Sequence, residues 1–118
     1  MEKLATETTV DKKLSGLSKT TWSLKNGSAI AQGDNLNSYT TVGNYICRAN
    51  SIAASLTNSP TQVAFMLHVY DVTGTEATEG YCYRYQELTD LYANKYIRYG
   101  NSSTGIANLS WHEWKQIV

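Results

Sequence analysis

Net charge is the first thing this chain lacks. Ten Lys and Arg are balanced by ten Asp and Glu over 118 residues. No long-range field draws it toward nucleic acid or an anionic bilayer. Long apolar runs are missing as well. Nothing approaches the ~20 residues of a membrane-crossing helix, and no membrane insertion is expected. The N-terminus is charged and has no apolar core, so no signal peptide is expected. Cysteine is sparse: only Cys47 and Cys82 occur, without the Cys-x-x-Cys spacing of a metal site. They read as buried free thiols, with one disulfide open if their strands are neighbours. His68 and His112 are the only histidines. His112 and Glu113 are adjacent, and adjacent strand residues face opposite sides, which suits neither a metal nor an acid–base pair. There is no Gly-rich phosphate loop and no nucleophile elbow. Glu76, Glu79, Glu87 and Asp90 are scattered around turns, and nothing pairs two of them across a cleft as glycoside cleavage requires. No metal, no cofactor and no catalysis are expected.

What the chain does have is tyrosine: nine against a single Phe. A ring with a polar tip suits half-buried sheets and interfaces. The length fits one folded domain with a short extension. Residues 1–25 differ in character from residues 26–118. In the first stretch, Thr8 or Thr9 can cap a helix. Val10, Leu14 and Leu17 then form one apolar stripe on it. So short a helix is marginal alone in water and makes sense if copies from several chains pack their stripes. The alternative is a tail lying on its own domain. A helical stalk or linker is therefore expected over 1–25 and a β-rich knob over 26–118. A first short strand is expected at 20–24.

Within 26–118, short strands alternate with polar turns. Strands are expected at 44–48, 63–72, 81–88, 95–99 and 111–118, and 51–56 reads as one helical turn or an irregular segment. Pro60 interrupts the chain after Asn58 and Ser59. Phe65, Leu67 and Val69 share one face of their strand. Tyr81, Tyr83 and Tyr85 share a face of the next, with Cys82 and Arg84 opposite. The spacing predicts a mainly β protein built on a small antiparallel sheet. Trp111 and Trp114, three apart on the expected closing strand, project to opposite faces, and Ile117 points inward with Trp111.

Several segments occur together in a recognisable order. They are Asp34-x-Leu36-Asn37-x-Tyr39-Thr40-Thr41-x-Gly43-x-Tyr45, a loop ending at Pro60, a strand over 64–69, Tyr96-x-Arg98, and Trp111-x-x-Trp114-Lys115. From about Asp34 to Val118 the chain resembles the knob domains at the tips of bacteriophage tail fibres and pyocin-type particles. Two departures stand out: an Asn inserted after Asp34, and Val42 where Pro is common before the glycine.

The resemblance implies a small antiparallel β-domain, assembled as a homotrimer on an upstream fibre shaft. It implies a virion component put together in the host cytoplasm. It also implies binding to bacterial surface polysaccharide. Arg98, Trp111 and Trp114 are the structural motif, with Arg98 stacked on one Trp to pin the last strand. The ligand candidates are Tyr81, Tyr83 and Tyr85, whose rings can stack on sugar C–H faces; a sheet face or subunit contact explains them equally. A purely structural trimerisation or capping domain is the alternative function. A glycan depolymerase fragment is a third.

Overall fold

The structure, a computed structural model, describes residues 27–118. The helix expected around Val10, Leu14 and Leu17 and the strand expected at 20–24 lie outside the described residues. Among the described residues seven strands form one sheet: β1 (Ser28–Ala29), β2 (Gly43–Cys47), β3 (Phe65–Tyr70), β4 (Cys82–Asp90), β5 (Lys95–Ser102), β6 (Ser110–Trp111) and β7 (Lys115–Gln116). Among the described residues a single α-helix, α1 (Asn50–Ser55), stands between β2 and β3. The strands from β2 to β5 form the expected antiparallel meander, and β1 adds in parallel beside β2.

The sheet has one covered face and one open face. In β3 the expected alternation holds, with Phe65, Leu67 and Val69 buried and Met66 and His68 exposed. Register carries this sidedness across the sheet, because Leu67 pairs with Tyr45 on one side and Leu88 on the other. The inner face is roofed by Ile30, Leu36 and Ala53, which close the core over Phe65, Leu67, Val69, Leu88 and Cys47. Burying each such aliphatic side chain contributes about 1.5–3 kcal/mol. Cys47 and Cys82 are both buried and free, on strands separated by β3. Burial raises the Cys47 thiol above its ordinary value.

The chain end departs from expectation. Instead of one strand over 111–118, two two-residue strands, β6 and β7, lie along different parts of β5. Residues 112–114 bridge them without strand geometry. Ile117 is correspondingly 52% exposed rather than inward.

Candidate functional site

The inner face of β4 is unusually polar. Arg84, Gln86 and Asp90 point inward, at 2%, 0% and 7% exposure, alongside Cys82 and Leu88. Buried polar groups need partners; the 34–41 segment supplies those of Gln86 and one of Arg84's, while Asp90 is held by Thr61, Tyr92 and Asn94. Gln86 Nε2 donates to the carbonyls of Leu36 (2.7 Å) and Tyr39 (3.0 Å). Arg84 Nε donates to Thr40 O at 2.6 Å, and its other nitrogens donate to the carbonyls of Tyr83, Glu76 and Ala77. Its charge faces Asp71 at 3.9 Å. Burial opposes ionisation of Asp71, but hydrogen bonds from Thr73 and Glu76, together with Arg84, outweigh it and hold the carboxyl below its usual range.

The Asp34-to-Tyr45 motif thus has a structural reason. Leu36 fills the core, and Asn35 Oδ1 caps the short 3-10 turn at the Asn37 N–H. The Tyr39 hydroxyl donates to Asp34 Oδ2, and Tyr45 packs edge-on against Tyr39 while donating to Thr41 O. Burial raises the Tyr39 phenol, and Asp34 raises it further, so that hydroxyl stays protonated.

Arg98, Trp111 and Trp114 come together as one clip. The expectation of opposite faces for the two tryptophans is wrong. Both rings flank the same guanidinium, 4.5 Å and 4.6 Å from Arg98 Cζ. The break between β6 and β7 shifts the alternation and returns Trp114 to the inner side. The expectation that Arg98 stacks on one Trp is therefore corrected to two. Arg98 Nε donates to Gln86 Oε1 at 2.8 Å, joining the clip to the β4 network. The indoles donate in turn to Asn37 O and Asn58 O. Gly100 pairs with Trp111 across the strands. A Cβ on Gly100 would lie 2.8 Å from the indole, so only glycine lets the ring settle. These residues close the fold over Arg98, which is 6% exposed.

The open face carries the exposed aromatics. Tyr81, Tyr83 and Tyr85 do point away from the core, but the structure divides them. Tyr81 precedes β4 and is 72% exposed. Tyr81 and Tyr83 flank a cleft of about 370 Å³ with the 101–110 segment, which contributes Asn101, Asn108, Ser110 and the hydroxyl residues 102–104. No hydrogen bond among the described residues engages the hydroxyls of Tyr81, Tyr83, Ser103 or Ser110.

Tyr85 belongs to a different feature, a row of stacked rings running across the strands. Tyr70, Tyr85, Tyr99 and His112 follow one another at centroid spacings of 5.5, 6.0 and 4.0 Å. Strand register creates the row, since Tyr70 pairs with Tyr85 and Tyr85 with Tyr99. A ring stacked on both sides has no free face for a sugar. The polar half of the cleft comes from the Gly100–Ser110 loop, which the sequence offers, with Thr73–Gly80, as the second place for recognition after the tyrosine face, being long and polar enough to vary without disturbing the sheet. Arg84, singled out as pointing the other way, is inward and fully engaged.

The described residues contain no cluster of three or more His, Cys, Asp or Glu able to hold a metal ion. No described helix is long and apolar enough to cross a membrane. No family model and no curated protein matches the chain. Solved structures do. The C-terminal part of the P. aeruginosa R1 pyocin fibre matches 76% of this chain at 26% identity and a TM-score of 0.58. An N-truncated R2-type pyocin tail fibre matches the same share at 26% identity and a TM-score of 0.59. The matched region covers 21% of the first fibre chain and 31% of the second. The resemblance first read in the Asp34–Tyr45, Tyr96-x-Arg98 and Trp111-x-x-Trp114 segments is thus matched in three dimensions: the chain is similar in fold and sequence to a part of the pyocin tail fibres.

Proposed function

We propose that this domain is a receptor-binding knob of a tail fibre, on a phage or tailocin particle, and that it holds a host cell-surface glycan in the cleft beside Tyr81 and Tyr83. The observation that carries the reading is that cleft: two exposed rings facing a polar loop in which the Ser103 and Ser110 hydroxyls have no partner among the described residues, on a domain with the fold of pyocin fibres. Aromatic rings cover the apolar face of a sugar while hydroxyls and amides meet its polar rim. The domain works as a binding module, not an enzyme.

Residues 1–25 serve as the stalk that joins it to the fibre shaft. Val10, Leu14 and Leu17 hold three copies together. Each site is shallow and weak, and copies on one fibre raise the effective concentration. Removing residues 1–20 is expected to weaken or abolish the trimer in sedimentation. A monomer from the intact chain at high concentration would refute trimerisation.

The test of recognition is adsorption to host cells. The double variant Tyr81→Ala, Tyr83→Ala should stay folded and lose adsorption. Tyr92→Ala is the control, since Tyr92 is 69% exposed in the turn at the far end of β4. Adsorption kept by the double variant would refute the site. The stacked row of Tyr70, Tyr85, Tyr99 and His112 favours a second role, contact between subunits, because the Tyr85 and Tyr99 rings are already stacked on both sides. Cross-linking at Tyr99 in the intact assembly separates that structural role from recognition.

A further inference from the structure

We infer that the ligand of the Tyr81–Tyr83 cleft is an uncharged glycan; the inference rests on the glycan-binding reading above. The cleft is lined by two phenols, two side-chain amides and serine or threonine hydroxyls, and by no Asp, Glu, Lys, Arg or His. Each of these groups both donates and accepts, except where it is already engaged. Some are engaged. Asn108 Nδ2 donates to Thr104 O and Oγ1, and Ser102 Oγ pairs with Thr104 Oγ1. These bonds stiffen the loop and leave Asn108 Oδ1 free to accept. The hydroxyls of Tyr81, Tyr83, Ser103 and Ser110 remain for the ligand. A sugar hydroxyl likewise donates and accepts, so it can satisfy this lining.

An anionic group can accept from the same hydroxyls but meets no cation in the lining. A sulfate, phosphate or carboxylate only accepts, and taking it from water without a cation costs several kcal/mol. The nearest cation along β4, Arg84, lies on the opposite face with donors turned to four carbonyls and to Asp71. A cationic amino sugar is disfavoured on the same grounds, since no carboxylate lines the cleft. The cleft volume of about 370 Å³ lies near the small end of ligand pockets, about 300–1,000 Å³. It therefore takes a short stretch of a longer chain.

The experiment uses the full chain on an array of neutral oligosaccharides, amino sugars bearing a free amine, and oligosaccharides carrying uronate, sulfate or phosphate. Neutral members should be retained, with little dependence on added salt, and lost in the double variant Tyr81→Ala, Tyr83→Ala. Ser103 is exposed, so Ser103→Lys should leave the fold intact and raise retention of acidic members several-fold. Retention of acidic or amino sugars in preference to neutral ones by the native protein would overturn the inference while leaving glycan binding standing. Neutral binding unaffected by loss of both tyrosines would overturn it by moving the site elsewhere. No retention of any member would overturn the inference together with the glycan-binding reading.

Discussion

Arg98 is the buried cation on which the chain end closes, and its replacement tests that closure quantitatively. Each Trp contact with a desolvated guanidinium contributes about 2 kcal/mol. The hydrogen bond to Gln86 contributes about 1.5–3 kcal/mol. Against these stands burial of the charge. Desolvation pushes Arg98 down to about 10 from its ordinary 12.5, which opposes folding on the order of 3 kcal/mol. One guanidinium nitrogen, Nη2, has no partner, consistent with that cost. The balance still favours the native residue by about 2–4 kcal/mol.

Arg98→Ala loses this balance and leaves a void between two indoles, so about 3–5 kcal/mol of destabilisation is expected. Arg98→Met fills the space and removes the buried charge but strands Gln86 Oε1, for about 1–3 kcal/mol. Thermal unfolding followed by circular dichroism should rank native above Met above Ala. For a domain of this size each kcal/mol moves the midpoint by about 4–8 °C. An unchanged midpoint for Arg98→Ala would refute the clip. A Met variant more stable than the native protein would show that charge burial outweighs both indole contacts.

Gly100→Ala should destabilise by about 1–3 kcal/mol through overpacking against Trp111. Its tryptophan fluorescence should shift as the indole leaves Arg98, and a spectrum like the native one would argue against the close approach. Stability should also fall in acid, on account of Asp71 and Asp90. Burial opposes ionisation of Asp90, but hydrogen bonds from Asn94, Tyr92 and Thr61 prevail, so its folded pKa lies below the ordinary 3.8. Because both folded pKa values are lowered, their contribution is present above the unfolded value and is lost as pH falls below it. Asp90→Asn should flatten the acid limb of a denaturant-midpoint series, and an equally steep limb would exclude Asp90 as a source.

Several features of this protein were legible in the chain itself. Alternation at Phe65, Leu67 and Val69 marked a one-sided strand, because a period of two leaves few other choices when one face is buried. Turn residues around Asn58–Pro60 and 90–95 divided the strands, and the order of the short motifs pointed to the fibre family. β4 was harder to read. Its tyrosines look like the buried set and its Arg84 and Gln86 like the solvated one, yet the sidedness is the reverse of what hydrophobicity alone would assign. Only the folded chain brings the carbonyls of Leu36, Tyr39 and Thr40 over that strand, and without those acceptors an inward Arg84 and Gln86 would be prohibitively costly. The tryptophans followed the same logic. Spacing along an assumed strand sent them to opposite faces, while two separate pairings with β5 placed both on Arg98. Local pattern determines which segments are extended and where they turn. Long-range pairing decides which polar groups find partners, and so which face of a strand is buried and which residues of 81–110 meet in one cleft.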